Sequence, residues 1–293
     1  MKCKNDKTYN AIPDLAMVKA YRYGETVEIT DAPVTRQVIE VLPNHHYKDL
    51  RSGAIKAMQK HSVNRSDNIK SIKSTMARLR RLIGANFHGG SNELWVTLTY
   101  SILMTDTAVV YRDFKVFMQR VRNQTWGGKL EYLAVLEPQA SGSWHMHVLF
   151  KRIDKKVLYV ANHEMEKLWK HGFTSTKRLK QTDNVAAYLM AYLTNLAVDS
   201  DNKSSEPKHQ KKIAKGARLY LYPAHTRLYR CSRGIKKPTV KRDYKFKVLD
   251  NNGIKHDADK RYKRSYQHDD QEITITTEFY NRKKGEKPHE KND

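Results

Sequence analysis

The sequence predicts an α+β fold in which an antiparallel sheet of about five strands carries helices on one face, with extensions at both ends. Two observations predict it. Between residues 90 and 240, β-branched and aromatic runs alternate with runs of helical period, in the order β-α-β-β-α-β-α. Within that order, two strands are separated only by the turn formers PQASGS, which makes them a hairpin and the sheet antiparallel. Residues 1–89 read as an N-terminal region of mixed helix and strand, and 241–293 as a basic C-terminal extension.

The N-terminal region holds one candidate strand, VTRQVIEVL (34–42), and one clear helix, NIKSIKSTMARLRRLIG (68–84). In that helix Ile69, Ile72, Met76, Leu79, Leu82 and Ile83 share a stripe, lysines and arginines take the other side, and Gly84 is the expected stop. Its basic face suits either a phosphate backbone or plain solvent. LWVTLTY (94–100) is a strand, and YRDFKVFMQRVR (111–122) puts Phe114, Phe117, Met118 and Val121 at helical spacing. LEYLAVLE (130–137) and SWHMHVLFK (143–151) form the hairpin. ANHEMEKLWKHG (161–172) is a helix expected to end at Gly172, and FTSTKRLK (173–180) a further strand. A helix capped from TDN then runs from Val185 to about Ala197. SDNKSSEPKHQKK (200–212) is a polar loop, 217–238 reads as two strands joined at Pro223, QEITITTEFY (271–280) as a strand, and the end as a charged, disordered tail.

Lys and Arg number 55 against 31 Asp and Glu, a formal charge of +24, which points to a polyanionic partner such as nucleic acid. With only Cys3 and Cys231, a disulfide framework and a cysteine-built zinc site are excluded, as befits a reducing cytosol. MKCKNDKTYN has no apolar core of a secretory signal, and the longest apolar run, VAAYLMAYL, is too short to span a membrane. A cytoplasmic location and no membrane partner are therefore expected.

The hairpin carries the chemistry. In SGSWHMHVLF (141–150), Trp144, Met146, Val148 and Phe150 alternate with His145 and His147, so the apolar side chains form core and both imidazoles face the other way. Glu137 closes the preceding strand and can stand opposite His145, with Cβ atoms roughly 5 Å apart. Two imidazoles and a carboxylate suit a borderline divalent ion such as Mn²⁺, or Mg²⁺ where water and substrate complete the shell. In NVAAYLMAYLTNLA, Tyr188 and Tyr192 lie four apart and share one side of the helix, either as core or as reactive phenols. A phenol is far more acidic than an aliphatic hydroxyl, so it suits attack on a phosphodiester beside a cation.

LWVTLTY, LAVLEPQASGSWHMHVLF, LWKHGF and VAAYLMAYLTN resemble, in order and spacing, the motifs of the HUH endonucleases. The nearest resemblance is to the two-tyrosine rolling-circle replication initiators of bacterial plasmids and phages, and it covers about residues 90–240. It implies a ferredoxin- or RRM-like sheet with a Mg²⁺ or Mn²⁺ ion bound by Glu137, His145 and His147. By the same resemblance Tyr188 is the nucleophile and Tyr192 a second tyrosine, one opening the origin and the other cutting the regenerated junction. The implied activity is nicking and rejoining of single-stranded DNA through a 5′-phosphotyrosine, with origin DNA, a host helicase and a polymerase as partners in a bacterial cytoplasm. No small-molecule cofactor is implied. Thr97 and Thr99 receive no catalytic role. One departure concerns Tyr192: many two-tyrosine members carry lysine just before the second tyrosine and again three residues after it, where this chain has Ala191 and Asn195.

ARLYLYPAHTRLYRCSRG adds cations and aromatic faces for phosphates and unstacked bases, from Arg218, Tyr220, Arg227, Tyr229, Arg230 and Arg233. The alternatives are a non-catalytic single-strand binder with an RRM-like sheet, a metal-dependent hydrolase using water, and a related relaxase or transposase. The glycine–aromatic signature of RRM domains is not found.

Overall fold

The computed structural model describes residues 11–31, 39–50, 52–58, 69–139, 141–179, 221–224, 226–268 and 271–284. It divides into two compact units, Met1–Tyr21 with Glu25–Val63 and Val240–Asp293 in one, and Arg22–Gly24 with Asn64–Thr239 in the other.

In chain order the first strands are β1 (Met17–Tyr23), β2 (Thr26–Thr30), β3 (Ile39–Leu42), β4 (His46–Asp49) and β5 (Ile55–Ala57). Helix α1 (Ile69–Asn86) leads to β6 (Glu93–Thr99), α2 (Thr107–Arg122), β7 (Leu130–Pro138) and β8 (Trp144–Arg152). Then come α3 (Asn162–Trp169), β9 (Thr174–Arg178), β10 (Tyr229–Cys231) and β11 (Thr239–Tyr244). The last elements are α4 (Lys245–Asp250), β12 (Lys260–His268) and β13 (Gln271–Asn281). The expected helix at 185–197, the loop at 200–212 and the tail from 285 lie outside the described residues.

The second unit contains the α+β fold that the sequence predicts, an antiparallel five-stranded sheet ordered β10-β7-β8-β6-β9. Helices α2 and α3 cover one face. Leu94, Val96 and Leu98 of β6 and Trp144, Met146, Val148 and Phe150 of β8 meet Phe114, Phe117 and Val121 of α2 and Trp169 of α3 there. Asp106 starts α2 four residues before the apolar spacing is readable, its side chain accepting from the backbone N–H of Ala108 at 2.7 Å. Helix α1 packs on the opposite face, where Leu79, Leu82, Ile83 and Phe87 bury Trp95, Leu133 and Leu149.

Two helix ends differ from the sequence reading. Gly84 does not stop α1, because Phe87 is buried and its N–H still bonds Ile83 O. The end is fastened two residues later by Asn86, whose amide donates to Leu82 O and Lys236 O and accepts from Lys236 N. Helix α3 ends at Lys170, in the left-handed region (φ 65°), and not at Gly172. Gly172 serves another purpose: at φ +146° a Cβ there would lie 2.4 Å from Ser101 N and 2.5 Å from Thr99 O. Of the two strands expected over 217–238, the described residues hold only β10.

The first unit carries a second five-stranded sheet, β11-β1-β2-β13-β12, and a three-stranded one, β3-β4-β5. Its core gathers Ile12, Val18, Val27, Ile29, Val248 and Tyr280 around a wholly buried carboxylate, Glu278. Lys245 Nζ and Arg261 Nε approach that carboxylate at 3.0 Å, and Tyr280 OH donates to it at 2.7 Å. Burial alone would raise the Glu278 pKa, but these bonds and one from Ile12 N–H hold it below the ordinary value. Among the described residues no helix is long and apolar enough to cross a membrane.

Candidate metal and DNA site

The register of the central strands assembles the site. In the β7–β8 hairpin Glu137 pairs directly with His145, and Val135 with His147. In the β8–β6 ladder His147 pairs with Thr97 and His145 with Thr99. Alternation therefore puts Glu137, His145, His147, Thr97 and Thr99 on one face, the face α1 also uses. The row Leu133–Leu149–Trp95 is buried under α1. Toward the other end of the same face, Glu137, His145 and Thr99 are half-buried, so the face opens to solvent at the polar end.

His147 is fixed from three sides and is only 4% exposed. Its Nε2 lies 2.8 Å from Glu137 Oε2, its Nδ1 lies 3.1 Å from Thr97 Oγ1, and Trp95 meets the ring edge-on with centroids 5.8 Å apart. With Glu137 ionised, Nε2–H donates to the carboxylate and Nδ1 accepts from the threonine hydroxyl. A hydroxyl can equally accept from Nδ1–H, so the same contact serves the tautomer whose Nε2 lone pair is available. His145 and His147 stand with ring centroids 6.1 Å apart.

Among the described residues no three His, Cys, Asp or Glu side chains are arranged to hold a metal ion as they stand, Glu137 being closed onto His147. The donor set nevertheless fits one. Two imidazoles and a carboxylate share the open end of one face, and the far nitrogen of His147 has an outer partner of the type that orients a metal-binding histidine.

Of the residues expected to touch DNA, Arg227, Tyr229, Arg230 and Arg233 lie on β10 and the segments beside it, where β10 edges β7. The three arginines are exposed. Tyr229 turns toward α1, is half-buried, and has its phenol pKa raised by burial, an effect that Arg78 opposes. Tyr188, Tyr192, Arg218 and Tyr220 lie outside the described residues. The last residue described before them, Leu179, is buried in the α1 cluster.

At the open end the LWKHGF segment is fastened to β6. Trp169 Nε1 donates to Thr99 O at 2.9 Å, and Tyr100 OH donates to the buried Asp113 at 3.0 Å. Burial, with Asp113 adding to it, pushes the Tyr100 phenol far up, so it stays a neutral donor. Tyr100 therefore acts as a strut behind the histidine face.

Residues 93–197 match the family model for Replication-associated protein ORF2. That family is one of rolling-circle replication initiators of the HUH type. The matched stretch begins at β6, includes the hairpin with both histidines, and runs past Tyr188 and Tyr192. Searches of curated proteins and of solved structures find no match.

Sequence reasoning alone did not find Thr97 as the partner of His147. The signal was present in LWVTLTY, where Thr97 and Thr99 are the polar positions of an otherwise apolar strand.

Proposed function

We propose that the chain is a metal-dependent, site-specific nickase and rejoining enzyme for single-stranded DNA, acting as a rolling-circle replication initiator. The observation that supports it best is the cross-strand pairing of Glu137 with His145, with His147 against the same carboxylate, inside the stretch that matches a replication-associated family.

In this reading Glu137, His145 and His147 hold Mg²⁺ or Mn²⁺. A bound ion there would neutralise charge on a non-bridging phosphate oxygen and make a nearby phenolate accessible. Thr97 keeps His147 oriented, and Trp95 and α1 keep water from the inner side of its ring. Tyr188 is the nucleophile. Its oxygen bonds phosphorus as the bond from phosphorus to the 3′-oxygen breaks; the phenol gives up its proton, and the 3′-oxygen takes one. The product is a 5′-phosphotyrosine and a free 3′-hydroxyl. Because that intermediate is still a phosphodiester, a later 3′-hydroxyl reverses the step without ATP. Tyr192 serves as the second tyrosine, and host helicase and polymerase act on the opened origin.

The test is to incubate the protein with Mn²⁺ and labelled single strands covering candidate origins, then separate products under denaturing conditions. The expected result is a covalent protein–DNA adduct that disappears with EDTA and in Tyr188→Phe. An adduct that survives Tyr188→Phe but is lost in Tyr192→Phe reassigns the primary nucleophile. Strand retention with no cleavage at any metal concentration replaces the reading with a binding module, and cleavage without an adduct replaces it with hydrolysis by water.

A further inference from the structure

We propose that Tyr111 is the positioning residue of an arginine clamp, Arg227 and Arg230, which takes phosphates of a single DNA strand along the β7 edge of the histidine face. The inference rests on the single-strand reading above and adds a residue to it.

Tyr111 belongs to α2, yet it holds β10 and the residues leading into it twice over. The Arg230 guanidinium carbon lies 3.7 Å from the Tyr111 ring centroid, and the Tyr111 hydroxyl donates to the Arg227 carbonyl. Both arginines are exposed. Burial raises the Tyr111 phenol pKa while the charges of Arg230 and Arg227 pull it down, as expected with both guanidinium groups near one hydroxyl.

The chemistry favours an anion of phosphate shape. A guanidinium stacked on an aromatic ring is held by its face and leaves its rim of N–H donors in plane for bidentate contact. Stacking also restricts the side chain before binding, so less rotamer freedom is lost when a phosphate arrives.

The position relative to the site follows from the ladder. Tyr229 pairs with Val135 and Arg230 with Ala134, and Leu136 N donates to Leu228 O at 2.9 Å. Residues 227–230 therefore run alongside 134–136 at the usual strand spacing of about 4.8 Å. Glu137 is the next residue of β7, so a strand seated at the histidine pair passes this edge.

A purely structural Tyr111 would anchor β10 to α2 and nothing more, so the test needs a readout that anchoring does not move. That readout is the salt dependence of binding to a labelled mixed-sequence single strand, measured by fluorescence anisotropy. Arg227→Gln and Arg230→Gln should each reduce the slope of log Kd against log salt by about 0.7, the share of one neutralised phosphate. Tyr111→Leu should weaken binding about as much as Arg230→Gln, and the double variant should bind no more weakly than Arg230→Gln alone. Tyr111→Phe, which keeps the ring, should lie closer to the unmodified protein and controls for a folding defect in Tyr111→Leu. Slopes unchanged in both arginine variants, or additive losses in the double variant, overturn the clamp. Adduct formation reports separately on the reading beneath it. An adduct with unchanged slopes removes the clamp and leaves nicking standing, whereas reduced slopes without an adduct keep the clamp and remove nicking.

Discussion

Replacing Thr97 by valine removes one hydroxyl and changes almost nothing else, because valine has the same shape and suits a strand. The lost group is the partner of His147 Nδ1 at 3.1 Å, and His147 is 4% exposed, so water does not readily take its place. A buried polar atom left in this way costs about 1–3 kcal/mol. The larger effect falls on the metal, since removing a group that orients a histidine ligand typically weakens binding by about 10–100-fold. That factor corresponds to about 1.4–2.8 kcal/mol of binding energy. Isothermal titration of Mn²⁺ into the unmodified protein, Thr97→Val and Thr97→Ser measures it directly. The serine variant keeps the hydroxyl and should recover most of the affinity. Equal Mn²⁺ affinity in Thr97→Val and the unmodified protein, with melting showing both folded, refutes the coupling of Thr97 to the site.

Further outcomes concern the scaffold. Glu278→Gln leaves Lys245 and Arg261 facing an uncharged group in the first unit's core and should destabilise it by about 3–5 kcal/mol in chemical denaturation. Folding lowers the Glu278 pKa, so its contribution is complete above the unfolded carboxyl value of about 4.3 and declines as pH falls through the folded one; a pH series on Glu278→Gln should lack that decline. Gly172→Ala forces a Cβ onto Thr99 O and Ser101 N and should lower the melting temperature and disturb the open end of the site together. Tyr100→Phe strips Asp113 of its phenol donor and should cost about 1–3 kcal/mol in thermal or chemical unfolding while leaving Glu137, His145 and His147 in place.

The histidine hairpin was legible because local rules suffice for it. Period-two alternation put His145 and His147 on one face, and the short PQASGS connection left little freedom in the register that sets Glu137 opposite His145. The contact between Thr97 and His147 was not legible, since β6 and β8 are separated in sequence by α2 and β7 and no turn fixes their register. Amphipathicity showed that α1 buries a stripe but not that this stripe lies on the histidine face, closing the site's inner end. The first unit was harder still. Strand β2 pairs with β13, Val27 with Tyr280, and no pattern within either segment points to the other. The Tyr111–Arg230 stack joins two segments of moderate individual signal, and only the fold brings them together.

The central claim is that Glu137, His145 and His147 together hold a divalent ion. Anomalous diffraction from crystals grown with Mn²⁺ tests it most directly. The account predicts one strong peak bounded by those three side chains, with the Glu137–His147 hydrogen bond opened to admit the ion. Crystals that bind Mn²⁺ elsewhere, with Glu137 still closed on His147, would contradict it.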